Sequence, residues 1–140
     1  MTFSFGQSER ERIEVDVPHS KRAPVDDYDW TTVAIRVQAG GFQGGVSAAI
    51  LSDDLARFLS QLRPLYKTLS GTAEFSTMED QLRLRLVGDG NGHIALRGEV
   101  ADRAGDGNRF HFHLEFDQSQ LGASIRELEK ITSQIPSRVS

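Results

Sequence analysis

His111-Phe112-His113 is the sharpest chemical feature of the sequence. In an extended strand, residues two apart project from one face, so both imidazoles leave the side opposite Phe112. Two imidazoles so placed can hold a divalent metal if further ligands converge, and His93 and Glu99 on a neighbouring strand are the candidates to join them. A metal site needs three or four ligands, and no second motif supplies the rest. A solvated sheet face accounts for the same pair without a metal, and no cofactor is assigned.

The same parity brings cations together. If Leu86 pairs with Ile94, Arg83 lies opposite Arg97; if Val100 pairs with Phe110, Arg97 lies opposite His113 and Glu99 opposite His111. Arg83, Arg97 and His113 then form a row across three strands, with Arg85 one step away. Like charges directly opposite are unfavourable, so such a row is either relieved by hydration or kept for an anionic partner. Arg83, Arg85, Arg97 and His113 are therefore the candidate partner-binding residues. Phe110, Phe112 and Phe116 fall on the opposite, core-facing side, which argues against a sheet that stacks nucleic-acid bases. The net charge of −4, from 16 basic and 20 acidic side chains, argues the same way.

Other motifs yield to structural readings. Gly88-Asp89-Gly90-Asn91-Gly92 joins two strands rather than opening a helix, so it lacks the helix N-terminus of a phosphate cradle. Asp89, Asn91 and Asp102 are oxygen donors of the kind calcium takes, but a hairpin turn explains the same composition. No serine sits in a Gly-x-Ser-x-Gly elbow, and without cysteine there is no thiol nucleophile, disulfide or thiolate metal site. Asp26, Asp27 and Asp29 lie in a loop with no acid–base partner, an acidic surface that would suit a basic partner. Trp30 opens a strand and reads as a core edge. No nucleophile, base and orienting group can be assembled, so a binding protein rather than an enzyme is expected.

The elements that position these residues follow from periodicity. Ile13, Val15 and Val17 alternate as a short strand. Pro18 to Asp29 reads as a loop. Val33, Ile35, Val37 and Ala39, then Gly40-Gly41, then Phe42, Gly44, Val46, Ala48 and Ile50 form a hairpin that pairs Ala39 with Phe42. Ser52 reads as an N-cap, followed by a helix through Leu55, Phe58, Leu59, Leu62, Tyr66 and Leu69. Pro64 is expected to kink or restart that helix, and Gly71 to end it. Strands are expected at Thr72–Phe75, Gln81–Val87, His93–Ala101 and Arg109–Phe116. Asp117-Gln118-Ser119-Gln120 has the form of a capping box, opening a second helix on Leu121, Ile125, Leu128, Ile131 and Ile135 that stops near Pro136. The result is one α+β domain of 140 residues, an antiparallel meander with two helices on one face and no readable internal repeat. Residues 1–20 hold no apolar run suited to a signal peptide, and no stretch approaches the ~20 apolar residues of a membrane span. A soluble cytoplasmic protein with no membrane partner is expected.

Ala39-Gly40-Gly41-Phe42, Leu86-Val87-Gly88-Asp89-Gly90-Asn91-Gly92-His93, Gly107-Asn108 and Leu114-Glu115-Phe116-Asp117-Gln118 resemble the WapI-type family, from about Trp30 to Ile131. Its members are bacterial immunity proteins associated with wall-associated, contact-dependent toxins. In that family Asp-Gln is often followed by Thr-Tyr-Leu; here Ser119-Gln120-Leu121 stands instead, so an aromatic at the helix start is missing. The resemblance brings no catalytic residue. It implies a non-enzymatic protein that binds and blocks a cognate toxin. The alternatives are a small metal- or ligand-binding domain or enzyme using the His111/His113 face, and a module that self-associates through its exposed sheet.

Overall fold

The computed structural model describes residues 1–18 and 30–134. Strands Thr2–Ser8 (β1), Glu11–Asp16 (β2), Trp30–Ala39 (β3) and Phe42–Leu51 (β4) form one antiparallel sheet in that order, and helix Ser52–Thr68 (α1) follows. Strands Ser70–Ser76 (β5), Leu82–Asp89 (β6), His93–Ala101 (β7) and Arg109–Asp117 (β8) form a second sheet, and helix Gln118–Thr132 (α2) follows. The antiparallel α+β class is as expected, with the meander divided between two sheets. The same order of elements thus occurs twice, although no repeat is readable in the residues.

Both sheets and both helices feed one hydrophobic core. Phe5, fully buried on β1, joins the halves: its ring centroid lies 5.8 Å from Phe58 of α1 and 5.9 Å from Phe116 of β8. β1 itself escapes the periodicity, because Phe3 and Phe5 are its only large apolar residues before Gly6.

The expected hairpin is present, with Ala39 opposite Phe42. Pro64 does not restart α1, which runs as one helix from Ser52 to Thr68. Pro64 and Ser60 are both exposed, so the carbonyl deprived of its donor lies on the solvent side. The helix begins at Ser52 with Leu51 as the capping residue, and the Asp54 carboxylate accepts from Leu51 N–H at 3.0 Å. Its end is set by Leu69, not Gly71: Leu69 takes the left-handed conformation (φ 62) and donates its N–H to Leu65 O at 2.7 Å. The Asp117 cap of α2 is as read, accepting from Gln120 N–H at 3.0 Å. The loop before Trp30, with Asp26, Asp27 and Asp29, the Trp30 side chain, and Ile135 with Pro136 lie outside the described residues.

On β6, β7 and β8 the even-numbered side chains face the core and the odd-numbered ones face out, except Ala101, which is buried at the end of β7. Leu84, Ile94, Leu96, Phe112 and Leu114 are all buried as expected, while Phe110 is only half-buried. Its ring lies at an open groove, stacked 5.7 Å from Phe112 and 6.2 Å from Phe42. Phe112 lies across Gly98, where a Cβ would overlap its ring. A glycine on β7 thus makes room for a core aromatic on β8.

Candidate protein-binding surface

The outer face of β5–β8 carries two charged rows. One runs Glu74, Arg85, Arg97, His113; the other runs Ser76, Arg83, Glu99, His111. Arg97 opposite His113 and Glu99 opposite His111 are as expected, but Arg83 is not opposite Arg97. Leu86 pairs with Leu96 rather than Ile94, so Arg85 takes that place and Arg83 faces Glu99. The turn decides this. β6 runs on to Asp89, whose carboxylate accepts from the N–H groups of Asn91 (2.7 Å) and His93 (3.2 Å), while Gly90 and Gly92 take positive φ. The loop is Gly90–Gly92 instead of Asp89–Asn91, and moving its centre by one residue slides the register by two. Parity survives; the row loses Arg83 and gains Arg85.

Electrostatically the two rows differ. Glu99 gathers two guanidiniums and an imidazole: Arg109 Nη1 at 2.8 Å, Arg83 Nη1 at 4.0 Å and His111 Nδ1 at 4.0 Å. Arg85 leans to Glu74 at 3.7 Å. Arg97, between Arg85 and His113, forms no ion pair among the described residues. Arg57, Gln61 and Asp54 of α1 flank these rows, and the whole lines a groove of about 730 Å³. Sequence reasoning found Arg85, Arg97 and His113 through parity. It missed the α1 wall and Glu74, because no local signal tells which helix lies along which strand.

His93 stands apart at the far end of β7. Its Nε2 lies 2.7 Å from Glu115 Oε1. That hydrogen bond raises the imidazole pKa above its ordinary value and holds the Glu115 carboxyl below its own. The N–H groups of Asn91 and His93 likewise keep the Asp89 carboxyl low. The side-chain amide and N–H of Asn108 do the same for Asp102, at 3.0 and 2.8 Å. Asp89 and Asp102 thus serve their own loops. Among the described residues no three histidine or carboxylate side chains are grouped to hold a metal. No helix among them is long and apolar enough to cross a membrane.

The sequence model of the immunity protein WapI-like family matches residues 4–136, nearly the whole chain. The chain belongs to that family. The match begins within β1, well before the turn motifs that carry the resemblance, and so takes in both halves. No curated protein sequence matches the chain. This family member shares its fold with WHY1 from Arabidopsis thaliana (10% identity, TM-score 0.54, covering 96% of this chain and 84% of the other). It is similar in the same way to the plant transcriptional regulator PBF-2 (9% identity, TM-score 0.53, covering 96% and 81%). A third similar structure is that of MRP1/MRP2 from Trypanosoma bruciei (15% identity, TM-score 0.50, covering 93% and 81%). At these identities the likeness is one of fold.

Proposed function

We propose that this chain is a non-enzymatic binding protein that neutralises a cognate bacterial toxin in the cell that makes it, and that it holds the toxin against the outer face of β5–β8. Family membership supports the role. The observation that supports the surface is Arg97: an exposed guanidinium flanked by Arg85 and His113 and joined to no carboxylate among the described residues. A planar fork of donors left free in a cationic row suits a carboxylate of the partner, which it can bind bidentately. The matching toxin surface is acidic, and complementary potentials speed encounter and reject wrong partners.

The description of PBF-2 as a transcriptional regulator does not favour nucleic acid here. Phe112 and Phe116 of β8 are buried in the core and are closed to base stacking, and the outer face of the sheet carries no aromatic ring apart from its histidines.

The test is calorimetry with a toxin sought among the products of the neighbouring reading frames. Arg97→Glu is expected to weaken binding by about tenfold or more, equivalent to ~1.4 kcal/mol or more. The loss should shrink in high salt, while the melting temperature stays unchanged. Undiminished affinity in a folded Arg97→Glu protein removes this face and turns attention to Asp26, Asp27 and Asp29.

A further inference from the structure

Four sheet edges have to be protected from stray pairing. At β1, Ser4 N–H donates to Glu127 Oε1 of α2 at 3.0 Å, and the Ser124 hydroxyl donates to Ser4 O. At β5, Gln61 of α1 takes both groups of Glu74: N–H to Oε1 at 2.9 Å and Nε2 to O at 3.0 Å. β8 lies against β1, β2 and β3 of the other sheet. The fourth edge, β4, is treated differently.

Ala39 and Phe42 close a two-residue turn, so they exchange both hydrogen bonds, as do the pairs Val37 with Gly44 and Ile35 with Val46. The N–H and C=O of Gln43, Gly45 and Ser47 then point away from β3. Ser47 O confirms this phase by accepting from Gln81 Nε2 at 2.6 Å; that amide also bonds Ala101 O at 3.0 Å, tying the edge to the other sheet. Beyond this clasp, towards the hairpin tip, nothing among the described residues bonds the outward groups of Gln43 and Gly45.

The side chains along this stretch are only partly accounted for inside the molecule, by Phe42 against Phe110 and Val46 against the core. Phe42 is 69% exposed, beside a groove of about 300 Å³ shared with Val46, Val100 and Phe110. Gly44 has ordinary strand φ, and a Cβ there would meet nothing within 4 Å. A strand-interior glycine that neither packing nor φ demands weakens its strand, and such glycines mark close approach of another backbone. No residue from Phe42 to Leu51 is charged, so the lysines and inward charges that usually blunt an edge are missing here.

We propose that this edge pairs with a second copy of the chain, β4 antiparallel to β4 about a two-fold axis through Gly44, joining two sheets into one. Gln43 of each copy then exchanges both backbone bonds with Gly45 of the other. Gly44 faces Gly44 in the closely spaced, non-hydrogen-bonded position, and Phe42 lies opposite Val46 with its ring over the space that Gly44 leaves open. The uncharged segment meets itself without repulsion, and an isologous contact needs this self-complementarity. The surface lies on the other sheet from the Arg97 row, so it stands or falls independently of the toxin surface.

Sedimentation velocity of the full chain across a wide concentration range tests the proposal. The unaltered protein is expected to show a reversible monomer–dimer equilibrium. Gly44→Val should keep the fold, since its side chain enters open space, and weaken dimerisation by about tenfold or more by filling the space that the Phe42 ring takes in the pair. Phe42→Glu should do the same through charge. The chain has no cysteine, so Gly44→Cys is expected to form a disulfide-linked dimer under mild oxidation, and Ala49→Cys is not. A monomer at every concentration, or a dimer as stable in Gly44→Val as in the unaltered chain, overturns the proposal.

Discussion

The half built from β1–β4 and α1 and the half built from β5–β8 and α2 share one order of elements, yet they balance charge differently. On the first sheet, Glu14 stands between Arg12 (3.1 Å) and Arg36 (3.7 Å), so each guanidinium has a carboxylate beside it. On the second, Glu99 plays the same part among Arg83, Arg109 and His111. One row away, Arg85, Arg97 and His113 follow one another with a carboxylate only at the end, Glu74. A central-strand glutamate gathering cations is what each sheet has in common. The extra row is what only the second has, so it is surplus to the fold and free for a partner.

The largest effect should come where the halves are least separable. Phe5→Ala is expected to cost about 3–5 kcal/mol in chemical denaturation, in a single transition. Two separate transitions would show that the halves melt independently and break the comparison at its root. Next come the helix plugs. Glu127→Ala removes a charged acceptor from a buried Ser4 N–H and should cost about 1.5–3 kcal/mol; Gln61→Ala, at an exposed site, should cost about 0.5–1.5 kcal/mol. Equal losses would mean the two edges are sealed alike. Arg97→Glu should move stability by less than ~0.5 kcal/mol, since no ion pair within the described chain is lost. A larger loss would make the row part of the fold.

The smallest effect concerns His93 and Glu115. The imidazole pKa is raised from 6.5 and the carboxyl pKa lowered from 4.5, chiefly by their mutual hydrogen bond. The histidine's contribution is full below its unfolded value and is lost as pH rises through the folded one. The carboxylate's is present above its unfolded value and is lost as pH falls through the folded one. The pair therefore stabilises most between about pH 4.5 and 6.5. In an NMR titration, Glu115→Gln should return the His93 pKa towards its ordinary value; an unmoved midpoint would falsify the pairing.

Much of the second half was legible because its strands alternate strictly: β7 and β8 begin where the periodicity puts them, and Phe112 faces inwards with His113 outwards. What failed was non-local or fine-grained. A glycine-rich turn offers two centres, and only the Asp89 carboxylate bonding Asn91 and His93 selects between them, which exchanged Arg83 for Arg85. The division into two sheets depends on which strand meets which across long separations, a matter on which alternation is silent. Leu69 in the left-handed region defied the expectation of glycine. The row of Arg85, Arg97 and His113 was therefore visible in kind and shifted in one of its members.

The bond between Ser4 and Glu127 spans 123 residues of chain. On a ribosome adding about 5–20 residues per second, roughly 6–25 seconds separate the synthesis of its two ends. For that interval β1 of the nascent chain has no α2 to cover it, and for most of it β2, β3 and β4 are already made. The late-made α2 is thus the latch on β1, and a chain terminated before Glu127 would enter the cell with that strand still open to its neighbours.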